Sequence, residues 1–232
     1  MDYHVNPERH TQNVVIQVLE SLGYQYLGDY QYHHNNSNIE SELLTKFLTQ
    51  QGYRPEQISK TFDTLRINLS DSQKELYATN RKFYQYLRYG VGVKVDQGEQ
   101  EQTVFLIDWK NRHNNHFYVA EEVTLKGVDA TRRPDLVLYI NGIAIGVIEL
   151  KRGSVSLDEG IAQLVSNQAE EFNPWFFATT QLLIAGNSSQ GLRYGTTLTP
   201  AKYYLSWKED IDQPEDNILN KYIRRLCRPE RI

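Results

Sequence analysis

The stretch from Arg133 to Lys151 limits what this chain can fold into more than any other. It runs Arg133-Pro134-Asp135, Leu136 to Ile140, Asn141-Gly142, Ile143 to Ile148, then Glu149-Leu150-Lys151. Two apolar runs around Asn-Gly make a β-hairpin, because Asn and Gly accept the positive φ that a tight turn demands. Asp135 opens the first strand, and Glu149 and Lys151 close the second. Side chains alternate faces along a strand, so Glu149 and Lys151 share one. Two carboxylates and an ammonium on an otherwise apolar hairpin are costly to bury unless something occupies them. A divalent cation and a phosphate would do so.

Parity decides whether Asp135 joins the other two. With a strict two-residue turn, Ile140 pairs Ile143 and Asp135 pairs Ile148, so Asp135 faces away from Glu149. One extra residue in the turn or a strand restores the match, as in a type I turn with a Gly bulge or a bulge near Pro134-Asp135. The sequence therefore predicts a register offset. Without one, the three groups disperse and no cation site forms.

The rest of the chain supplies a scaffold. Its 232 residues fit one large domain or two small ones, with 40% apolar residues for a core. No apolar run is long enough to span a bilayer, and Met1-Asp2-Tyr3-His4 shows no secretory pattern. The single Cys227 excludes an internal disulfide and fits a reducing, cytoplasmic location. A net charge of −4 gives no general pull toward nucleic acid, so any DNA contact needs a local basic patch or a partner's charge.

Apolar spacing predicts a helix in the segment Thr11 to Leu27, ended by Gly23, a second over Ile39 to Gln51, and a third from Pro55 through Ile67. A fourth, capped by Asp71 or Ser72, reaches Tyr89. Strands are expected over Val91 to Val95, Thr103 to Trp109 and Phe117 to Leu125, ahead of the hairpin. Ser156 and Glu159 match a capping box for a helix running to Glu171. Asn173-Pro174 stops it, a buried strand follows over Phe176 to Ala185, and a short one over Leu192 to Thr197. That order is an α/β fold with a mixed sheet. The expected organisation is one domain over 1–209, mainly helical over 1–89 and sheet-bearing over 90–200. A connector follows over 210–232. The connector's Lys221, Arg224, Arg225, Arg228 and Arg231 fit either a solvated terminal helix or a DNA-contacting one.

Hydrolysis of a phosphodiester needs an activated water, neutralisation of charge on the phosphoryl oxygens and a stabilised leaving oxygen. A hard cation such as Mg²⁺ serves all three and prefers carboxylate and carbonyl oxygens. Asp135, Glu149 and the Leu150 backbone carbonyl are the expected ligands, and Mn²⁺ would substitute. Lys151 would sit beside the attacking water. The neighbouring carboxylates favour its ammonium form, which suits positioning and charge stabilisation better than proton abstraction. Arg132 and Arg133 flank the site as candidate contacts to the DNA backbone.

Pro134-Asp135, with Glu149-Leu150-Lys151 beginning fourteen positions after Asp135, resembles the PD-(D/E)xK nuclease signature. The wider stretch from Arg132 to Lys151 is similar to the N-terminal nuclease domain of type I restriction enzyme R subunits. So are Ser37-Asn38-Ile39-Glu40, Leu87-Arg88-Tyr89-Gly90, Glu121 to Leu125 and Gly191 to Thr196. The resemblance extends from Thr11 to Asp210. It implies a restriction-endonuclease-like mixed sheet flanked by helices, and a Mg²⁺-dependent, sequence-non-specific cut in double-stranded DNA. It also implies modification and specificity subunits as partners and an ATP-driven motor. No Gly-x-x-x-x-Gly-Lys-Ser/Thr loop is present, since Leu192-Arg193 follows Gly186 to Gly191, so ATP belongs to a motor outside this chain.

Two positions depart from the pattern. Many relatives of this fold place an acidic residue on the first helix, where Gln12 stands here. They also carry Gln-x-x-x-Tyr on the helix after the hairpin, where Gln163 is followed by Asn167. Gln12 and Gln163 remain accessory candidates.

Other motifs carry less. His113-x-x-His116 and His33-His34 lack the further ligands a zinc site needs. No Gly-x-Ser-x-Gly elbow occurs. Trp175, Phe176 and Phe177 beside Pro174 suit core packing better than base stacking. The rival to a nuclease is a nuclease-like module that clamps DNA or docks subunits with little or no cutting of its own.

Overall fold

The computed structural model describes residues 7–33, 36–69, 75–96, 98, 100–127, 130–209 and 217–232. The expected cap at Asp71 or Ser72, the second histidine of His33-His34 and residues 210–216 of the expected connector lie outside them.

Helix α1 spans Pro7–Ser21 and ends where Gly23 takes φ 97°. The chain then enters strand β1, Gln25–Asp29, rather than continuing as helix toward Leu27. The positive φ at Gly23 reverses the chain, and Tyr24 and Tyr26 turn toward the core that α1 faces. Helices α2 (Ser41–Gln50), α3 (Pro55–Leu69) and α4 (Leu76–Tyr89) follow. Strands β2 (Val91–Val93) and β3 (Gln102–Val104) pair as a separate small sheet. The expected strand over Thr103 to Trp109 breaks after Val104. Leu106 and Ile107 are buried there outside any strand.

Strand β4 (Phe117–Glu121) precedes the two-residue strands β5 (Leu125–Lys126) and β6 (Thr131–Arg132), which pair with each other. The hairpin is β7 (Leu136–Ile140) and β8 (Ile143–Lys151). Helix α5 covers Leu157–Ser166, shorter than the expected run to Glu171. Its cap is Ser156, which accepts from the Asp158 N–H at 3.2 Å; Glu159 adds only a backbone bond to Ser156. Residues Pro174–Ala178, expected to begin a strand, form a 3₁₀ turn because Pro174 sits at its start under an Asn173 cap. Strand β9 (Leu182–Asn187) comes next, then β10 (Gly191–Gly195), β11 (Leu205–Ser206) and helix α6 (Ile218–Leu226).

The main sheet has seven strands in the order β1-β4-β7-β8-β9-β10-β11. It is mixed. β1 runs parallel to β4 and β8 parallel to β9, while β4, β7 and β8 are antiparallel neighbours. Helices flank it, which is the expected fold class. One face packs Leu136, Leu138, Ile148 and Leu150 against Val15 and Leu19 of α1 and Leu219 and Ile223 of α6. The other packs Val137, Tyr139 and Val147 against Ile161 and Leu164 of α5. The hairpin tip, Ile140, Ile143 and Ile145, joins a third cluster with α2, α3 and α4. Each fully buried Leu or Val here contributes roughly 1.5–3 kcal/mol relative to exposure. β8 is buried from Ile143 to Leu150, so Glu149 is shut off from solvent while Lys151 at the strand end is part-exposed. No helix among the described residues is long and apolar enough to cross a membrane.

Candidate active site

The hairpin carries the expected offset, placed near the start of β8. Asn141 and Gly142 take φ 53° and 87°, both positive as in a type I′ turn, so Ile140 pairs Ile143. Tyr139 pairs Ala144, and then Leu138 pairs Gly146. Ile145 is therefore the extra residue, a β-bulge rather than a turn bulge or one near Pro134. From there Leu136 pairs Ile148, which sets Asp135 opposite Glu149 on the α5 face of the sheet. The Leu138 side chain lies only 3.2 Å from where a Cβ on Gly146 would stand, so glycine eases the register step.

At the open end of the hairpin, Asp135 Oδ2 accepts the Leu150 N–H at 2.5 Å. Glu149 is fully buried, and its Oε1 lies 3.3 Å from Lys151 Nζ. Glu149 Oε2 is buried with no hydrogen-bond partner among the described residues. Lys151 Nζ also lies 3.5 Å from Glu8 Oε1, brought in by the first turn of α1. Helix α5 passes close over this strand end: a Cβ on Gly160 would stand 3.6 Å from Lys151 Cγ.

The charges are strongly coupled. Burial and then the Asp135 carboxylate push the Glu149 carboxyl well above the usual range. Burial raises Asp135 to about 6, against the opposing Leu150 N–H and Lys151. Burial alone would lower Lys151, but Glu149, Asp135 and Glu8 outweigh it and hold the ammonium form. Lys151 is thus a fixed positive charge rather than a ready proton acceptor. Among the described residues no three His, Cys, Asp or Glu side chains form a ready cage for a metal. Asp135 and Glu149 offer a two-carboxylate donor set, which suits a cation that keeps several of its waters.

Over residues 5–203 the sequence matches the family model described as the type I restriction enzyme R protein N terminus. The chain belongs to that family. Its relatives include the candidate type I restriction enzyme MjaVIIIP endonuclease subunit of Methanocaldococcus jannaschii. That protein is 30% identical over 77% of this chain and 17% of its own length. The type I restriction enzyme HindI endonuclease subunit of Haemophilus influenzae is 28% identical over 67% of this chain and 16% of its own length. The candidate MjaVIIP endonuclease subunit of M. jannaschii is 37% identical over 45% of this chain and 10% of its own length. The chain therefore spans between 10% and 17% of the length of these relatives.

The remaining candidates divide. Gln12 is buried on α1, and its Nε2 donates to Glu121 Oε2 at 3.0 Å and to the Asp135 carbonyl at 3.1 Å. It props the backbone of Asp135. Arg132 lies with its guanidinium 4.0 Å over the Phe172 ring, and its Nε is buried without a hydrogen-bond partner among the described residues. Arg133 is exposed, close enough to Glu122 to lower that carboxyl against burial. Of the two arginines, Arg133 is the one open to a DNA backbone. Gln163 is half-buried on α5, one turn after Gly160, with no side-chain hydrogen bond among the described residues. Asn167, four positions on, is fully buried, with neither amide atom partnered among the described residues.

The sequence reading missed Glu8 and Glu121. Glu121 is buried on β4 and accepts from Arg9 at 2.7 Å, Gln12 at 3.0 Å and the Tyr26 hydroxyl at 2.5 Å. Together these tie α1 to the sheet. Glu8 stands four residues before Gln12, which places both on one helix face. That spacing was the available signal. Elsewhere, His116 Nε2 pairs with Gln50 Oε1 at 2.7 Å, and Phe176 and Phe177 are core residues.

Proposed function

We propose that this chain is the DNA-cutting domain of a type I restriction enzyme endonuclease subunit, a Mg²⁺-dependent phosphodiesterase indifferent to sequence. The observation that carries this reading is the orphaned Glu149 Oε2, buried opposite Asp135 with no partner among the described residues. A buried acceptor left unpaired costs about 1–3 kcal/mol. A hard dication between the two carboxylates would remove that cost, so the residues fit the group. Asp135, Glu149 and the Leu150 carbonyl would hold it, and Mn²⁺ would serve in its place.

When bound, such a cation supplies charge neutralisation and a more acidic water. The chain's own residues do the rest. Lys151 holds a fixed positive charge beside the carboxylates, where it orients the attacking water and offsets charge on the scissile phosphate. Asp135 is fixed at both ends, with its side chain on the Leu150 N–H and its carbonyl on Gln12. Arg133 presents a cation to the flanking phosphate backbone, and none of these groups reads a base edge. Site choice would fall to a specificity subunit, with a modification subunit alongside it, and ATP-driven movement to the remainder of the endonuclease subunit.

The test is nicking of supercoiled plasmid by the assembled restriction complex, with Asp135→Ala compared against wild type in Mg²⁺. Removing one preorganised electrostatic group should slow cutting by about 10²–10³-fold. Equal cutting by the variant would leave the rival reading, a DNA-holding or docking module, in possession.

A further inference from the structure

We propose that Glu8 is a positioning residue that takes over Lys151 when a dication occupies Asp135 and Glu149. The inference rests on the nuclease reading and extends it to a residue outside the signature.

Lys151 Nζ stands between two carboxylates, 3.3 Å from Glu149 Oε1 and 3.5 Å from Glu8 Oε1. The two partners differ in exposure, with the Glu149 side chain 1% exposed and the Glu8 side chain 43%. Glu149 Oε2, an acceptor unpartnered among the described residues, marks where a cation would enter. A dication on Glu149 competes with Lys151 for the same carboxylate, and two like charges cannot share it cheaply at low dielectric. Lys151 then needs another anion, and Glu8 is already in contact. An ammonium held by Glu8 stays next to the cation without lying on its ligand.

The helix that carries Glu8 is fixed for this purpose. Arg9 and Gln12 anchor α1 on Glu121, and Gln12 also bonds the Asp135 carbonyl. Both Gln12 contacts need a donor. A carboxylate at position 12 would meet Glu121 Oε2 and the Asp135 carbonyl as acceptor against acceptor. The amide at 12 therefore serves the scaffold, and the negative charge on this helix face sits one turn earlier, at Glu8.

The experiment is Mn²⁺ titration of the 232-residue chain, read by the shift in its thermal midpoint and by the spin-resonance signal of free Mn²⁺. Glu8 is exposed enough that Glu8→Gln should leave the fold intact. Glu8→Gln is expected to weaken Mn²⁺ binding about tenfold, the low end for partners that orient metal ligands. Glu8→Asp should recover most of that loss. In a Lys151→Met background the same substitution at Glu8 should change nothing, because no ammonium remains to be held. Unchanged Mn²⁺ affinity in Glu8→Gln would overturn the inference, as would an equal loss with Lys151→Met already present. Absence of Mn²⁺ binding by wild type, or undiminished binding by Asp135→Asn, would instead overturn the cation site itself and this inference with it.

Discussion

The two ends of one hairpin are both polar and buried, and they are built on opposite principles. At the closed end, Asn141 Nδ2 donates to the Leu106 carbonyl at 2.9 Å and to Asn115 Oδ1 at 2.8 Å, while its Oδ1 accepts the His116 N–H at 2.8 Å. Every polar atom of that side chain has a partner, and all of them are neutral. At the open end, Asp135, Glu149 and Lys151 are charged or titratable, crowded and one donor short among the described residues. A satisfied neutral network fixes a structure, whereas a short-handed ionic one carries a cost that an added partner would remove. A polar residue at a strand end is therefore read by its remaining hydrogen-bonding capacity, not by its burial.

That contrast is breakable at both ends. The largest expected effect is on cutting. Within the assembled complex, Lys151→Ala should slow plasmid nicking by about 10²-fold or more, near 3 kcal/mol of barrier, with thermal stability preserved. A midpoint tens of degrees lower would make Lys151 a structural residue and erase the distinction.

Next comes the closed end. Asn141→Leu strands the Leu106 carbonyl and the His116 N–H, takes one of two donors from Asn115 Oδ1, and forces a branched residue into positive φ. A loss of about 2–4 kcal/mol is expected in denaturant unfolding. Gly142 permits little relief, since a Cβ there would stand 2.7 Å from the Glu40 carbonyl. Unchanged unfolding of Asn141→Leu would show that the closed end is not the structural one.

The pH dependence should separate the ends further. Asp135 is raised from 3.8 to about 6, chiefly by burial. An acid whose folded value is raised stabilises the fold below its unfolded value, and that contribution disappears as pH rises through the folded value. In chelator, wild type should thus lose on the order of 1–3 kcal/mol relative to Asp135→Asn between pH 4 and about 6. Mg²⁺ should restore it at higher pH. Parallel curves for the two proteins would contradict the crowding at the open end.

The smallest effect is expected at Glu149. Replacement by Gln keeps the shape and removes the charge. Metal-free unfolding should change by under about 1 kcal/mol or become slightly more stable, because breaking up a strained cluster also relieves desolvation. A large loss on Glu149→Gln would mean that the carboxylate holds the strand end together.

Legibility followed the range of the interactions involved. The hairpin, its Asn-Gly turn and the membership of Asp135, Glu149 and Lys151 in one group could be read locally, because turn chemistry and strand alternation act over a few residues. The need for an offset was also legible, from parity alone. Its location at Ile145 was not. That residue packs with Leu44, Phe47 and Phe83, contacts that depend on how α2 and α4 close over the hairpin tip. The strand at Gln25–Asp29 escaped the helical pattern of its neighbours for a similar reason: it exists by pairing with β4, almost a hundred positions away. Tyr24 donates to the Cys227 carbonyl at 2.9 Å, and α6 packs on α1 and β10, so residues 217–232 lie against the same core as α1.

The sequence by itself determined that two acids and an amine share one hairpin end, since that follows from residue type, the Asn-Gly turn and the period of a strand. Tertiary structure decided what surrounds them. The bulge that aligns Asp135 with Glu149, the clamp that Gln12 forms on Glu121, and the approach of Glu8 to Lys151 all arise where distant elements meet. Burial, dielectric and unpaired acceptors are properties of that meeting, and no local pattern encodes them.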